Sequence, residues 1–257
     1  MDEAMDETMD EAARQLIDRF QAAATESLPL VALWVHGSLA AGDYRPGISD
    51  LDLVAVIDVP PGEADALAEV IQRLHEALDA PLLHCAYLPL GALDDPAEPQ
   101  LAYAQQELMH RPVTPVARRE LLRFGLVRYG PEPAGLLPPV PDEQLAAFVV
   151  ADQAGFWLPS LDRPEWYLRD IWVDHGMVTA ARAAVTLEDG RLITKGEALG
   201  VLADMGAPAE VVDDIRRRRY GAPPVTAGDW PARRAELTLG FLRPMIGRLA
   251  TGVGPTR

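Results

Sequence analysis

Cysteine is nearly absent from this 257-residue chain: Cys85 stands alone, which excludes an internal disulfide and a four-cysteine zinc site. Also missing is any apolar run approaching the ~20 residues that a membrane span requires. Basic residues are scarce, 23 Lys and Arg against 39 Asp and Glu, for a formal net charge of −16. A surface that wraps nucleic-acid phosphates needs the opposite sign, so nucleic acid is excluded as the main partner. An acidic surface suits cationic small molecules instead. The N-terminus, MDEAMDETMDEAARQ, is acidic where a secretory signal would be basic. These absences together imply a soluble cytoplasmic protein with no membrane partner.

What is present is a globular composition, 49% hydrophobic and 24% charged, long enough for one large domain or two modest ones. The opening MDE repeat is too polar to pack and reads as a frayed lead. Apolar residues at Leu16, Ile17, Phe20 and Ala24 recur at helical spacing. Strands are predicted at residues 30–35, 51–57 and 81–88, with a turn at His36-Gly37-Ser38. A helix is predicted over residues 64–78, where Leu67, Val70, Ile71, Leu74 and Leu78 share a face. The Pro- and Gly-rich stretch YGPEPAGLLPPVP marks the domain boundary. Beyond it helices are predicted near residues 142–157, 166–187, 194–205, 207–219 and 230–249. Thr194 with Glu197 makes a capping box. The expected fold is α+β: a mixed sheet with helices over residues 1–135, then an α-helical bundle over residues 136–257.

The chemistry concentrates at His36-Gly37-Ser38 and, after eleven intervening residues, at Asp50-Leu51-Asp52-Leu53. Residues two apart on a strand share a face, so Asp50 and Asp52 present two carboxylates side by side while Leu51 and Leu53 enter the core. Like charges that close repel unless a cation lies between them, and hard oxygen ligands suit Mg²⁺ with substrate phosphates. Gly37 allows close backbone approach to a phosphate, and Ser38 adds a hydroxyl. Gly-Ser and Asp-x-Asp are each common in turns and strand ends; their order here is what carries the signal.

His36-Gly37-Ser38, Gly42, Ser49-Asp50 and Asp52-Leu53 resemble the DNA polymerase β-like nucleotidyltransferase superfamily. The resemblance implies that Asp50 and Asp52 hold Mg²⁺ on a nucleoside triphosphate, that Gly37, Ser38 and Ser49 form the nucleotide turn, and that pyrophosphate is displaced in line. The second half resembles the aminoglycoside adenylyltransferases that modify streptomycin and spectinomycin. There an Arg on one helix and a Lys opening the next bind the ATP phosphates. Arg182 and Lys195, with Gly190 between them, reproduce that layout, and bidentate Arg and compact Lys suit the role. On residues alone, without that resemblance, Lys195 reads as a solvated charge.

One position departs from the family. Its third-strand carboxylate, the general base, is replaced by His84 in Leu82-Leu83-His84-Cys85. Imidazole is a poor Mg²⁺ ligand and a good proton acceptor near neutrality. His84 therefore reads as a base on an open face, as a structural histidine, or as the mark of a degenerate site. Cys85 should point the other way, into the core, and His36 reads as a turn residue.

For the acceptor, Trp166, Asp170 and Asp174 fall at helical i,i+4 spacing and would present an aromatic and two acids on one face. In the resembled family such residues grip the polycationic drug; the alternative is a packed aromatic with solvated acids. Glu107 is a further acceptor candidate. The run Arg216-Arg217-Arg218-Arg219 is assigned to helix-end carbonyls and solvent, without function. The expected activity is Mg²⁺-dependent transfer of AMP from ATP to a hydroxyl of a small, cationic, aminoglycoside-type molecule. Its rivals are a catalytically degenerate nucleotide-binding protein and nucleotidylation of a protein partner.

Overall fold

The structure is a computed structural model that describes residues 10–60, 62–222 and 228–252; most of the acidic N-terminal repeat lies outside them. Tertiary contacts divide the chain into two compact units, Met1–Val140 and Pro141–Arg257.

The N-terminal unit opens with α1, Glu11–Ser27, whose first turn is capped by Asp10 accepting from the Ala13 N–H at 3.0 Å. There follow β1 (Leu30–His36), the short α2 (Gly37–Ala40), β2 (Leu51–Ile57), α3 (Ala68–Leu78, entered through a 3₁₀ turn at Ala64–Leu67) and β3 (Leu83–Pro89). Beyond the predicted elements come a hairpin of β4 (Pro99–Ala104) and β5 (Glu107–Pro112), α4 (Pro115–Phe124) and β6 (Leu126–Tyr129). The six strands lie in the order β5-β4-β3-β2-β1-β6, with β2 and β3 parallel and the other pairs antiparallel.

Strand alternation splits the core in two. Leu51, Leu53, Ala55 and Ile57 of β2 face one way and join Ile17 and Phe20 of α1 and Ile71 and Leu74 of α3. Cys85 lies in this layer, as expected. Val54 and Val56 face the other way with Ala32, Trp34, Ala86, Leu88 and Leu121 of α4. Each fully buried Leu, Ile or Phe contributes roughly 1.5–3 kcal/mol, so the two layers fix the register of β2 firmly. The consequence for function is positional: Asp50 and Asp52 continue the even-numbered row of β2, at the end where the second layer gives way to polar residues.

In the C-terminal unit, α5 (Asp142–Asp152) continues through a π turn at Gln153–Trp157 and a last turn at Leu158–Ser160. A 3₁₀ turn, Pro164–Leu168, precedes α6 (Asp170–Asp189), which packs against α5, α7 (Lys195–Asp204) and α9 (Trp230–Leu249); α8 (Ala209–Arg219) lies between the last two in sequence. Gly190, at φ +71°, ends α6 in the left-handed conformation, and the Thr194–Glu197 capping box starts α7. The helix predicted from Trp166 is broken at Arg169, whose backbone is extended (φ −94°, ψ 138°), so Trp166 and Asp170 belong to different elements. Among the described residues no helix is long and apolar enough to cross a membrane.

Candidate active site

The site begins with a close approach. Gly37 has φ +65°, and a Cβ there would lie 2.5 Å from Asp52 Oδ2. Only glycine lets the turn after β1 lie directly against the second carboxylate. The loop that follows folds back on itself. The Asp43 N–H donates to the Ser38 carbonyl at 2.8 Å and the Arg45 N–H to Ser49 Oγ at 3.0 Å. Ser49 is buried and holds the loop that delivers Asp50 to the head of β2. The Ser38 hydroxyl has no partner among the described residues.

Strand register lines up a polar row on one face of the sheet. His36 is the β1 partner of Asp52, and His84 its β3 partner. His84 Nδ1 lies 3.7 Å from Asp52 Oδ1 and Nε2 3.8 Å from Asp50 Oδ1. Burial acts to raise the Asp52 pKa, but His84 beside it and the fields of His36 and Arg111 outweigh it and hold the carboxyl below its usual range. His84 lies on the face expected for it, yet it is buried rather than open, and its Nε2 accepts the Gln105 backbone N–H at 3.3 Å. One nitrogen faces Asp52 and the other takes the hairpin turn. That leaves no lone pair for an incoming hydroxyl, and the general-base role expected of His84 is not supported by this geometry.

Two further groups at this edge were not visible in the sequence. Gln105 and Gln106 form the β4–β5 turn with φ of 54° and 64°. Such turns are signalled by Asn-Gly or Asp-Gly, and Gln-Gln gives no such signal. Glu107 opens β5 just past this turn, on the exposed edge strand. Glu120, buried on α4, reaches back to His36, with Oε2 3.3 Å from Nδ1.

In the C-terminal unit Arg182 Nε donates to the Ile193 carbonyl at 2.9 Å, which places its guanidinium beside the loop that leads into Lys195. Lys195 is the only lysine in the chain, and its ammonium has no partner among the described residues. The acceptor candidates fare differently. Arg218 donates to both oxygens of Asp174 and pairs with Asp214; Arg234 pairs with Asp214 and Asp170. Asp170 and Asp174 are thus members of a five-residue ion network rather than a free acidic face, and Arg218 is tied to Asp174 and Asp214 rather than left to helix-end carbonyls and solvent. Trp166 packs on Trp172 with ring centroids 4.2 Å apart, and the Arg163 guanidinium lies 4.9 Å over it.

Residues 15–90, from α1 to the end of β3, match the nucleotidyltransferase domain family. The matched residues include the Gly37 turn, Asp50, Asp52 and His84. The fold of the whole chain is similar to that of a spectinomycin adenyltransferase from Enterococcus faecialis solved with ATP and spectinomycin. The TM-score is 0.70 at 15% identity, covering 91% of this chain and 99% of that one. No curated protein matches the chain significantly.

The donor set at the head of β2 bears on a cation. Among the described residues no three His, Cys, Asp or Glu side chains converge into a metal cage. Two partly exposed carboxylates on one strand face, with no arginine paired to either among the described residues, are what Mg²⁺ takes when substrate phosphates complete its shell. The residues present fit that ion.

Proposed function

We propose that the protein transfers a nucleoside monophosphate, AMP from ATP, to a hydroxyl of a small molecule of aminoglycoside type. The observation that carries this reading is the pair Asp50 and Asp52 on one sheet face, with Asp52 held against the Gly37 turn. In this reading Asp50 and Asp52 hold Mg²⁺, which supplies charge neutralisation at the α-phosphate and on the leaving pyrophosphate. The Ser38 hydroxyl and the Gly37 turn bind phosphate oxygens, and Ser49 keeps Asp50 in place. Arg182 and Lys195 take the negative charge of the triphosphate. His84 orients the two carboxylates through its contacts with both. Trp166 offers the acceptor a ring, and Glu107 is the acceptor candidate of the N-terminal unit; Asp170 and Asp174, paired with Arg234 and Arg218, brace the helices rather than bind the acceptor. The likeness to an adenyltransferase solved with spectinomycin supports the choice of acceptor.

A second reading, nucleotide binding without transfer, is favoured by one observation: His84 stands where the resembled family has its carboxylate base, and its ring is committed to groups of the protein. Incubation with Mg·ATP and a panel of hydroxylated antibiotics, spectinomycin and streptomycin included, separates the two. Mass spectrometry should show an AMP adduct on one acceptor with equimolar pyrophosphate. Tight Mg·ATP binding with no adduct on any acceptor supports the second reading and contradicts the first.

A further inference from the structure

Two histidines flank Asp52, and their ring nitrogens are committed differently. A neutral imidazole has one donor and one acceptor nitrogen. Both nitrogens of His84 face groups of the protein, the Gln105 N–H on Nε2 and Asp52 near Nδ1. In His36, Nδ1 lies 3.3 Å from Glu120 Oε2. With Nδ1 donating to that oxygen, Nε2 keeps its lone pair. Nε2 has no partner among the described residues. The ring shares the face of Asp52, its cross-strand partner, and directly precedes the Gly37–Ser38 turn.

Glu120 is well placed to fix that ring. Its side chain is 11% exposed and that of His36 15%, so the carboxylate gains much from the imidazole it meets. It is carried on α4, a helix anchored at its start. Thr114 caps it, and buried Arg118 donates to the carbonyls of Val113, Leu93 and Asp95. A carboxylate that orients an imidazole leaves the far nitrogen aimed and basic.

We propose that His36, oriented by Glu120, is the proton acceptor for the attacking hydroxyl; this rests on the nucleotidyl-transfer reading above. The acceptor O–H bond gives its proton to His36 Nε2 as the oxygen lone pair forms a bond to the α-phosphorus. The bond from that phosphorus to the bridging oxygen breaks, and pyrophosphate departs with the electron pair. Glu120 stays ionised beside the imidazolium, which then releases its proton to solvent. Glu120 is a positioning residue acting through His36.

Two measurements test this. In protein labelled with ¹⁵N-histidine, long-range proton–nitrogen spectra assigned with His36→Asn should show His36 protonated on Nδ1 and bare on Nε2, with the preference weakened in Glu120→Gln. A proton on Nε2 in the wild-type protein overturns the proposal. For transfer, His36→Ala should lower kcat by about 10²–10⁴-fold, the scale of a general base, while Kd for Mg·ATP stays within about threefold. Added imidazole should restore part of the rate in His36→Ala, which a merely structural role would not allow. Full turnover in His36→Ala overturns the proposal and leaves the transfer reading intact. A wild-type protein that transfers to no acceptor overturns both.

Discussion

Asp50 and Asp52 stand two residues apart at the head of a strand, and Asp170 and Asp174 stand four apart at the head of a helix. Each pair is spaced to share a face, and each invites the same functional reading. Among the described residues the first pair has His84 at 3.7 and 3.8 Å and no arginine paired to it, while the second is claimed by Arg218 and Arg234 together with Asp214. Carboxylates without arginine partners remain available to a cation and a triphosphate. Carboxylates in a network with two guanidinium groups hold helices together. What separates a ligand from a strut is its partner, not its spacing.

That contrast predicts opposite phenotypes. Asp52→Asn, and Asp50→Asn beside it, should lower transfer by on the order of 10²–10³-fold or more, the scale of removing a preorganised electrostatic group, with the thermal midpoint nearly unchanged. Steady-state pyrophosphate release and thermal unfolding on the same preparations would show it. Arg234→Met should do the reverse. Its side chain is 3% exposed and Asp214 is fully buried, so the substitution leaves carboxylates short of a partner. The expected cost is about 3–5 kcal/mol by chemical denaturation, with turnover per folded molecule little changed at low temperature. A stable Arg234→Met protein would make the network dispensable and return Asp170 to the acceptor candidates.

Acid should sharpen the comparison further. His75, on the buried face of α3 and stacked on Tyr103, has its pKa lowered from 6.5 to about 3 by burial, with a contribution from His84. Its folded value lies below the unfolded one, so the unfolded chain takes up the proton first. The stability it contributes is complete above pH 6.5 and is lost progressively as pH falls toward 3. Asp214 differs: burial raises its pKa, but hydrogen bonds from Arg218 and Arg234 bring it below the ordinary value. Its contribution is present above about pH 4 and fades only below that, as pH falls through the folded value. The N-terminal unit should therefore begin to weaken at milder acidity than the C-terminal one. Hydrogen exchange resolved by peptide across pH 7 to 3 would show the order, and His75→Gln should flatten the slope of the N-terminal peptides alone.

The smallest effect expected concerns Lys195. Because it is the only lysine, pyridoxal phosphate with borohydride reports on that side chain and the α-amino group alone. Mg·ATP should slow its modification several-fold, and Lys195→Met should raise the Kd for Mg·ATP by about tenfold, the worth of one charge-assisted hydrogen bond. Labelling indifferent to ATP would mean that Lys195 is only a solvated charge.

Much of this was legible in the chain itself. The first three strands and their flanking helices follow from apolar periodicity, and Asp50, Asp52 and the Gly37 turn from residue types at fixed spacing. The hairpin and β6 were not legible, because β5 is half exposed, β6 has four residues and the Gln105-Gln106 turn lacks glycine. The arginine network escaped for a different reason. Arg218 lies 44 residues from Asp174 and Arg234 lies 64 from Asp170, and no local pattern connects them. Glu120 is likewise 84 residues from His36.

The central claim is that Asp50 and Asp52 form a magnesium-dependent nucleotide site. Calorimetric titration of ATP into wild-type and Asp52→Asn protein, each with Mg²⁺ and with EDTA, tests it most directly. The account predicts tight binding to the wild-type protein with Mg²⁺, weak binding in EDTA, and an Asp52→Asn protein that binds weakly in both. Equal affinity in all four titrations, with the fold of the variant intact, would contradict it.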